Sequence, residues 1–171
     1  AQNLSEAFNE MGHQVKVFSL GKENHVDNIN NIIIDRTKSK LFNFIINKNK
    51  NKNLINKIRL HKNKIYNYQL SNVIANKIKE YNPDIVNIHN IPIISPLIIK
   101  KIKDITPHTP IVSTLHDYWP ICYRNTLLDK NNKLIKKLGM INRLTKKIIE
   151  YFLRYADAFV STSDVLSTKI Q

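Results

Sequence analysis

Residues 82–116, NPDIVNIHNIPIISPLIIKKIKDITPHTPIVSTLH, carry the pattern that decides the fold. Asn82-Pro83-Asp84 is a breaker, and Ile85 to His89 is a short apolar run of strand length. Ser95 and Pro96 supply an N-cap residue and a first-turn proline for a helix over Leu97 to Ile105. Pro107 and Pro110 then bracket a turn into a second strand, Ile111 to Leu115, which ends on His116. Two short apolar strands joined through a helix belong to a parallel sheet.

The same alternation extends outward. Upstream, Leu4, Ala7, Phe8 and Met11 fall at helical spacing and Gly12 follows as a stop. A strand is predicted over Gln14 to Ser19, and a second β-rich run over Ile29 to Ile34, ending at Asp35. Tyr66, Leu70, Val73, Ile74, Ile78 and Tyr81 form one helical stripe. Downstream, a loop over 116–132 leads to a helix near Met140 to Tyr155, with Ile141, Leu144, Ile148 and Phe152 predicted inward. Ala158 to Ser161 reads as a last strand, and Ser163 as the cap of a closing helix. The fold class is therefore α/β: a Rossmann-like open parallel sheet with helices on both faces. Residues 1–171 read as a single domain of this kind, with no internal repeat. The chain opens on Ala1 and a helix instead of a strand, which reads as a fragment lacking its first strand.

In such sheets ligands sit beyond the carboxyl ends of the strands. Asp35, the pair His89-Asn90, the run His116-Asp117-Tyr118-Trp119, and Ser161-Thr162-Ser163 are predicted at those ends. His116 is the leading catalytic candidate, because a neutral imidazole donates or accepts a hydrogen bond near neutral pH. Asp117 could orient it, bind a hydroxyl or cap the next turn. Tyr118 and Trp119 offer flat faces to a sugar or anchor the loop before Pro120. Arg124 could clamp a phosphate or carboxylate.

Other chemistries lack their residues. With three glycines, Gly12, Gly21 and Gly139, the chain has no phosphate-cradling fingerprint, which argues against a dinucleotide oxidoreductase. The single cysteine, Cys122, allows no intramolecular disulfide and reads as structural. His89 and His116 have no evident third partner for a metal, so neither a metal nor a cofactor is expected. No apolar run reaches the roughly 18 residues of a membrane span, and no signal peptide opens the chain. A cytoplasmic location follows as the expectation.

Charge is concentrated. The net charge is +14, yet residues 36–79 hold 12 Lys or Arg and no acid. A basic low-complexity loop is predicted over about 36–64, with NKNKNKN at 47–53 its centre. Lysine, asparagine and isoleucine fill 72 of the 171 positions, and all three have A/T-rich codons, so base composition alone could produce the bias. Nucleic acid is disfavoured as a partner: arginine numbers five in all, and the aromatics near the block form no stacking pattern.

Four segments carry a resemblance to the family-4 glycosyltransferases. Asn3 to Phe18 resembles their helix, Gly-His and strand opening. Pro83 to Asn90 resembles the P-D-I-V-H-x-H-N strand, with Asn87 in place of the first histidine. Thr114 to Cys122 resembles the T-L-H-D-x-W-x-x-C segment, and Ala156 to Ser163 the closing A-D-x-x-x-x-x-S strand. The resemblance implies the N-terminal, acceptor-side domain of a GT-B enzyme, retaining and metal-independent, of hexosyltransferase type. The donor nucleotide-sugar would be held mainly by a second domain, absent from these 171 residues together with its paired glutamates and the family's Gly-rich turn. His116 would contact the donor sugar and phosphate; His89, Asn90, Asp117, Tyr118, Trp119, Arg124 and Ser163 would bind substrate. The acceptor would be a saccharide or lipid-linked glycan in cell-envelope polysaccharide synthesis. The Lys-rich runs at 36–79 and 130–147 would dock on an anionic membrane surface. The chain alone would be inactive. Two other functions compete: a GT-B-like sugar-nucleotide epimerase, which needs cleft carboxylates, and a non-catalytic basic module for membrane or nucleic acid.

Overall fold

The computed structural model describes residues 2–39, 54–89, 91–122, 126–128, 131–135 and 138–162. The chain divides into two compact units, Ala1–Leu60 and His61–Gln171.

The first unit holds helix α1 (Gln2–Glu10) and strands β1 (Lys16–Gly21), β2 (His25–Ile29) and β3 (Ile32–Lys38). Gly12 ends α1 as predicted. Its φ of 88° is open to glycine at no steric cost, and the His13 amide reaches back to the Phe8 carbonyl at 3.0 Å. The apolar stripe of α1 has the helical period, but Leu4, Phe8 and Met11 remain exposed. The sheet order is β1-β3-β2, with β1 parallel and β2 antiparallel to β3. The continuous run predicted over Ile29 to Ile34 is thus corrected: it is broken into a hairpin. Asn30 and Asn31 both take positive φ, 52° and 64°, which is the two-residue turn whose twist matches paired strands, and asparagine tolerates it. Across the hairpin Arg36 meets Asp27 at 3.0 Å, and His25 meets the same carboxylate at 2.7 Å.

Helix α2 (Leu54–Ile65) crosses the boundary between the units. The loop predicted over 36–64 is therefore corrected at both ends, since Arg36 to Lys38 are strand and Leu54 onward is helix. Leucine and lysine are good helix formers and no Gly or Pro interrupts them. The NKNKNKN centre at 47–53 lies outside the described residues.

The second unit is built on helix α3 (Tyr68–Tyr81), strand β4 (Val86–His89), the short helix α4 (Ile91–Ile94), helix α5 (Leu97–Ile105), strand β5 (Ile111–Leu115), helix α6 (Met140–Leu153) and strand β6 (Ala158–Ser161). Its sheet runs β4-β5-β6, parallel throughout, as the alternation of strands and helices requires. Asn67 caps α3 by accepting the Leu70 amide, and Asn82 ends it in the left-handed conformation. Helices α3 and α5 pack together, burying Leu70, Ile74 and Ile78 with Ile98, Ile99 and Ile102. Each such side chain contributes roughly 1.5–3 kcal/mol by leaving water.

The N-cap expected at Ser95 is corrected: Pro96 takes that position for α5, and Ser95 stands one residue before it. It is buried, with φ at 108°, a region that non-glycine residues avoid. Its hydroxyl donates to the Ile65 carbonyl at 3.0 Å and accepts from the Asn67 amide at 3.2 Å and the Leu97 amide at 3.3 Å. One side chain thereby ties the α2–α3 junction to the start of α5, which offsets the cost of its backbone.

The inward face predicted for α6 is also corrected. Thr145, Ile149, Phe152 and Leu153 are buried, while Ile141 and Leu144 are 66% and 62% exposed. The apolar arc of this helix is wider than the core it meets, so periodicity alone placed its centre too far to one side.

Candidate functional site

Parallel pairing brings three strand ends to one edge. His89 closes β4 opposite Thr114 of β5, and Leu115 stands opposite Ser161 of β6. Beyond them the chain leaves each strand: His116 after β5 and Thr162 after β6, whose amide and hydroxyl both bond to the Leu115 carbonyl at 3.3 and 3.4 Å.

The centre of this edge is a bond between two histidines. His89 Nδ1 and His116 Nε2 are 2.8 Å apart. Their ring centroids lie 5.1 Å apart with planes inclined by 28°, as for rings meeting end to end through facing nitrogens. Burial, and after it the neighbouring His116, hold the His89 pKa below its ordinary value. His116 is the more exposed of the two, and with Nε2 engaged by His89 its remaining ring nitrogen is Nδ1. One layer deeper, Thr114 donates its hydroxyl to Asn87 Oδ1 at 2.9 Å, using the residue that replaces a histidine in the resembled motif.

The loop after His116 is held from within. Asp117 Oδ1 accepts the Trp119 amide at 2.8 Å, so of its three expected roles it takes that of turn cap. The Tyr118 carbonyl accepts the Cys122 amide at 2.7 Å and the Ile121 amide at 3.0 Å. Trp119 is 2% exposed, so the open face expected of it is corrected: an indole this large gains more from burial, and it anchors the loop. Cys122 is fully buried and free, in keeping with a structural role. Ile91, Pro92, Thr114, Leu115, His116, Asp117, Trp119 and Pro120 line a small depression at this edge.

Of the predicted groups, His89, His116, Asp117, Tyr118 and Trp119 are thus in one neighbourhood. Asn90, Arg124 and Ser163 lie outside the described residues. Asp35 is corrected: it sits in the middle of β3, buried, because the strand continues to Lys38. Among the described residues no three His, Cys, Asp or Glu side chains come together as a metal site, and no helix is long and apolar enough to cross a membrane. Two features escaped the sequence reading. The His89–His116 bond joins residues 27 apart, and only their positions at the ends of adjacent strands hinted at it. At the opposite end of the sheet, Asp157 accepts the Ile111 amide at 2.6 Å and pairs with Lys103 at 2.8 Å.

An α/β unit with imidazoles and hydroxyls at the carboxyl ends of parallel strands belongs to the class that binds ligands at the sheet edge. The family model for Glycosyltransferase Family 4 matches residues 1–170, and the chain belongs to that family. No curated protein and no solved structure matches it.

Proposed function

We propose that these residues form the acceptor-side part of a retaining, metal-independent hexosyltransferase. It would move a sugar from a nucleotide-sugar to a saccharide or lipid-linked acceptor in cell-envelope polysaccharide synthesis. The observation that carries this reading is the exposed His116 imidazole at the edge of a parallel sheet in a family-4 chain, joined to His89. His116 would face the donor sugar and its phosphate, with Asn90, Tyr118, Arg124 and Ser163 as further substrate contacts. The donor would be held mainly by a second domain of the same protein. No resident cofactor takes part.

A cytoplasmic enzyme docked on an anionic membrane surface fits the lipid-linked acceptor. Support comes from α6, which exposes Met140, Ile141 and Leu144 beside the exposed Arg143 and Lys147. Such an apolar strip with a cationic border suits a headgroup layer, at roughly 1 kcal/mol per Lys or Arg near the surface.

The test is the full reading frame containing these residues, incubated with a panel of nucleotide-sugars and saccharide or lipid-linked acceptors, with product mass as readout. Glycosylated acceptor is expected, and His116→Ala is expected to reduce kcat/KM by on the order of 100-fold. The 171 residues alone should give no turnover. Acceptor-independent interconversion of the nucleotide-sugar would favour the epimerase. Binding to vesicles or nucleic acid without turnover of any donor would favour the non-catalytic module.

A further inference from the structure

We infer that His89 is a positioning residue for His116, and that the bond between the two imidazoles fixes the tautomer and ring direction with which His116 meets an anionic phosphate group. The inference rests on the transferase reading for the ligand class, and on geometry alone for the pair.

Two facing ring nitrogens 2.8 Å apart must share one proton. With none between them the lone pairs repel, and with two the N–H groups collide, so one nitrogen donates and the other accepts. The neutral pair satisfies this in either direction, and uptake of one proton preserves the bond. A second proton would break it, because both facing nitrogens would then be donors. The pair is therefore limited to one positive charge at most.

The location of that charge follows from the surroundings. His89 is the last residue of a strand and the more buried ring, which favours its neutral form. When the pair takes up one proton, His89 Nδ1 is the acceptor and the charge lies on His116, whose Nε2 proton is spent on His89. The Nδ1 proton of the more exposed ring is then the one left for a ligand. Among the neighbours described around the pair, Asn87 and Thr114 are bonded to each other and Thr162 to a carbonyl. Asp117, the acidic group next in the chain, has Oδ1 committed to the Trp119 amide. An imidazolium N–H of fixed direction makes a charge-assisted bond to a phosphate oxygen, shorter and stronger than a neutral one. Without His89, His116 would keep its charge at low pH but lose the fixed tautomer and ring direction.

The experiment is imidazole 15N NMR of the 15N-labelled full-length protein across pH, with inorganic pyrophosphate as probe. The wild type is expected to show coupled titration of two histidines, because a second proton breaks the bond between them. Pyrophosphate should perturb His116 Nδ1 first. In His89→Ala, His116 should show mixed tautomers, and pyrophosphate affinity should fall about 10-fold. His89→Asn, which keeps an oxygen acceptor near the Nδ1 position, should restore the His116 tautomer without restoring coupled titration. It also serves if the alanine variant folds poorly. Independent titration of both rings in the wild type, or an unchanged His116 spectrum in both variants, would overturn the inference. Neither outcome bears on whether sugar is transferred. A missing transferase activity with the coupling intact would remove the ligand and leave the pair.

Discussion

The central strands of the two sheets, β3 and β5, are built from similar β-branched and hydroxyl residues and meet opposite fates. In β3, buried and open positions are mixed: Ile32, Asp35 and Thr37 are inside, Ile33 and Lys38 outside. Strand β5 has Ile111, Ser113, Thr114 and Leu115 buried and no exposed position. A strand flanked on one side by a hairpin partner keeps open positions along its length. A strand flanked by parallel neighbours, with crossover helices such as α5 packed around it, is enclosed. The lesson is that β-branched strands, one carrying Asp35, Arg36 and Lys38 and the other no charge, become an ionic hairpin and the floor of a candidate site according to which partner each finds.

Core truncation should break the comparison hardest. Ile102 is fully buried on α5, and Ile102→Ala should cost about 2–5 kcal/mol. The only tryptophan, Trp119, lies in the second unit, so its fluorescence in a urea titration reports that unit alone, whereas far-ultraviolet circular dichroism reports both. Loss confined to the fluorescence transition would establish separate stability. Coincident shifts by both probes would show one cooperative body.

A smaller effect is expected in the first unit. Asn31 holds φ at 64° in the hairpin turn, and Asn31→Ala should destabilise by roughly 1–2 kcal/mol, because a Cβ without a helpful side chain is penalised there. Amide exchange along β2 and β3 should quicken while β5 is unchanged. Uniform quickening in both sheets would contradict the separation.

The smallest effect is electrostatic. The Lys103 ammonium, and then the Ile111 amide, hold the Asp157 carboxyl below its usual range. A carboxylate with a depressed folded pKa lends stability that is present above the unfolded value, about 3.9, and lost as pH falls. Thermal melts should therefore drop on acidification below about pH 4, and Asp157→Asn should flatten part of that slope. The first unit has its own half-buried pair at Arg36 and Asp27, which Asp157→Asn should leave untouched. An unaltered acid slope in Asp157→Asn would remove Asp157 from the account.

Much of this was legible in residues 82–116. The helix over Leu97–Ile105, the strand Ile111–Leu115 and the later strand Ala158–Ser161 stand where periodicity and proline placed them. The hairpin was misread because an Asn-Asn pair lacks the glycine that usually marks such a turn, and Ile29 to Ile34 looks continuous without it. The face of α6 was misread because a helix with apolar residues around more than half its circumference fixes no single inward direction. For the candidate site, His116 and His89 were visible as strand-end histidines, and Trp119 stood between sugar platform and loop anchor until its burial decided for the anchor.

By itself the sequence determined the α/β class, the boundaries of the second unit's strands and the family, since these depend on local period, breakers and short motifs. The tertiary structure alone decided that β2 turns back on β3, that Ser95 gathers three backbone groups, that Asp157 reaches Lys103, and that two histidines 27 residues apart share a hydrogen bond. Those facts belong to pairs of atoms brought together by strand register, and register is set by burial of whole faces, which no single segment of the chain encodes.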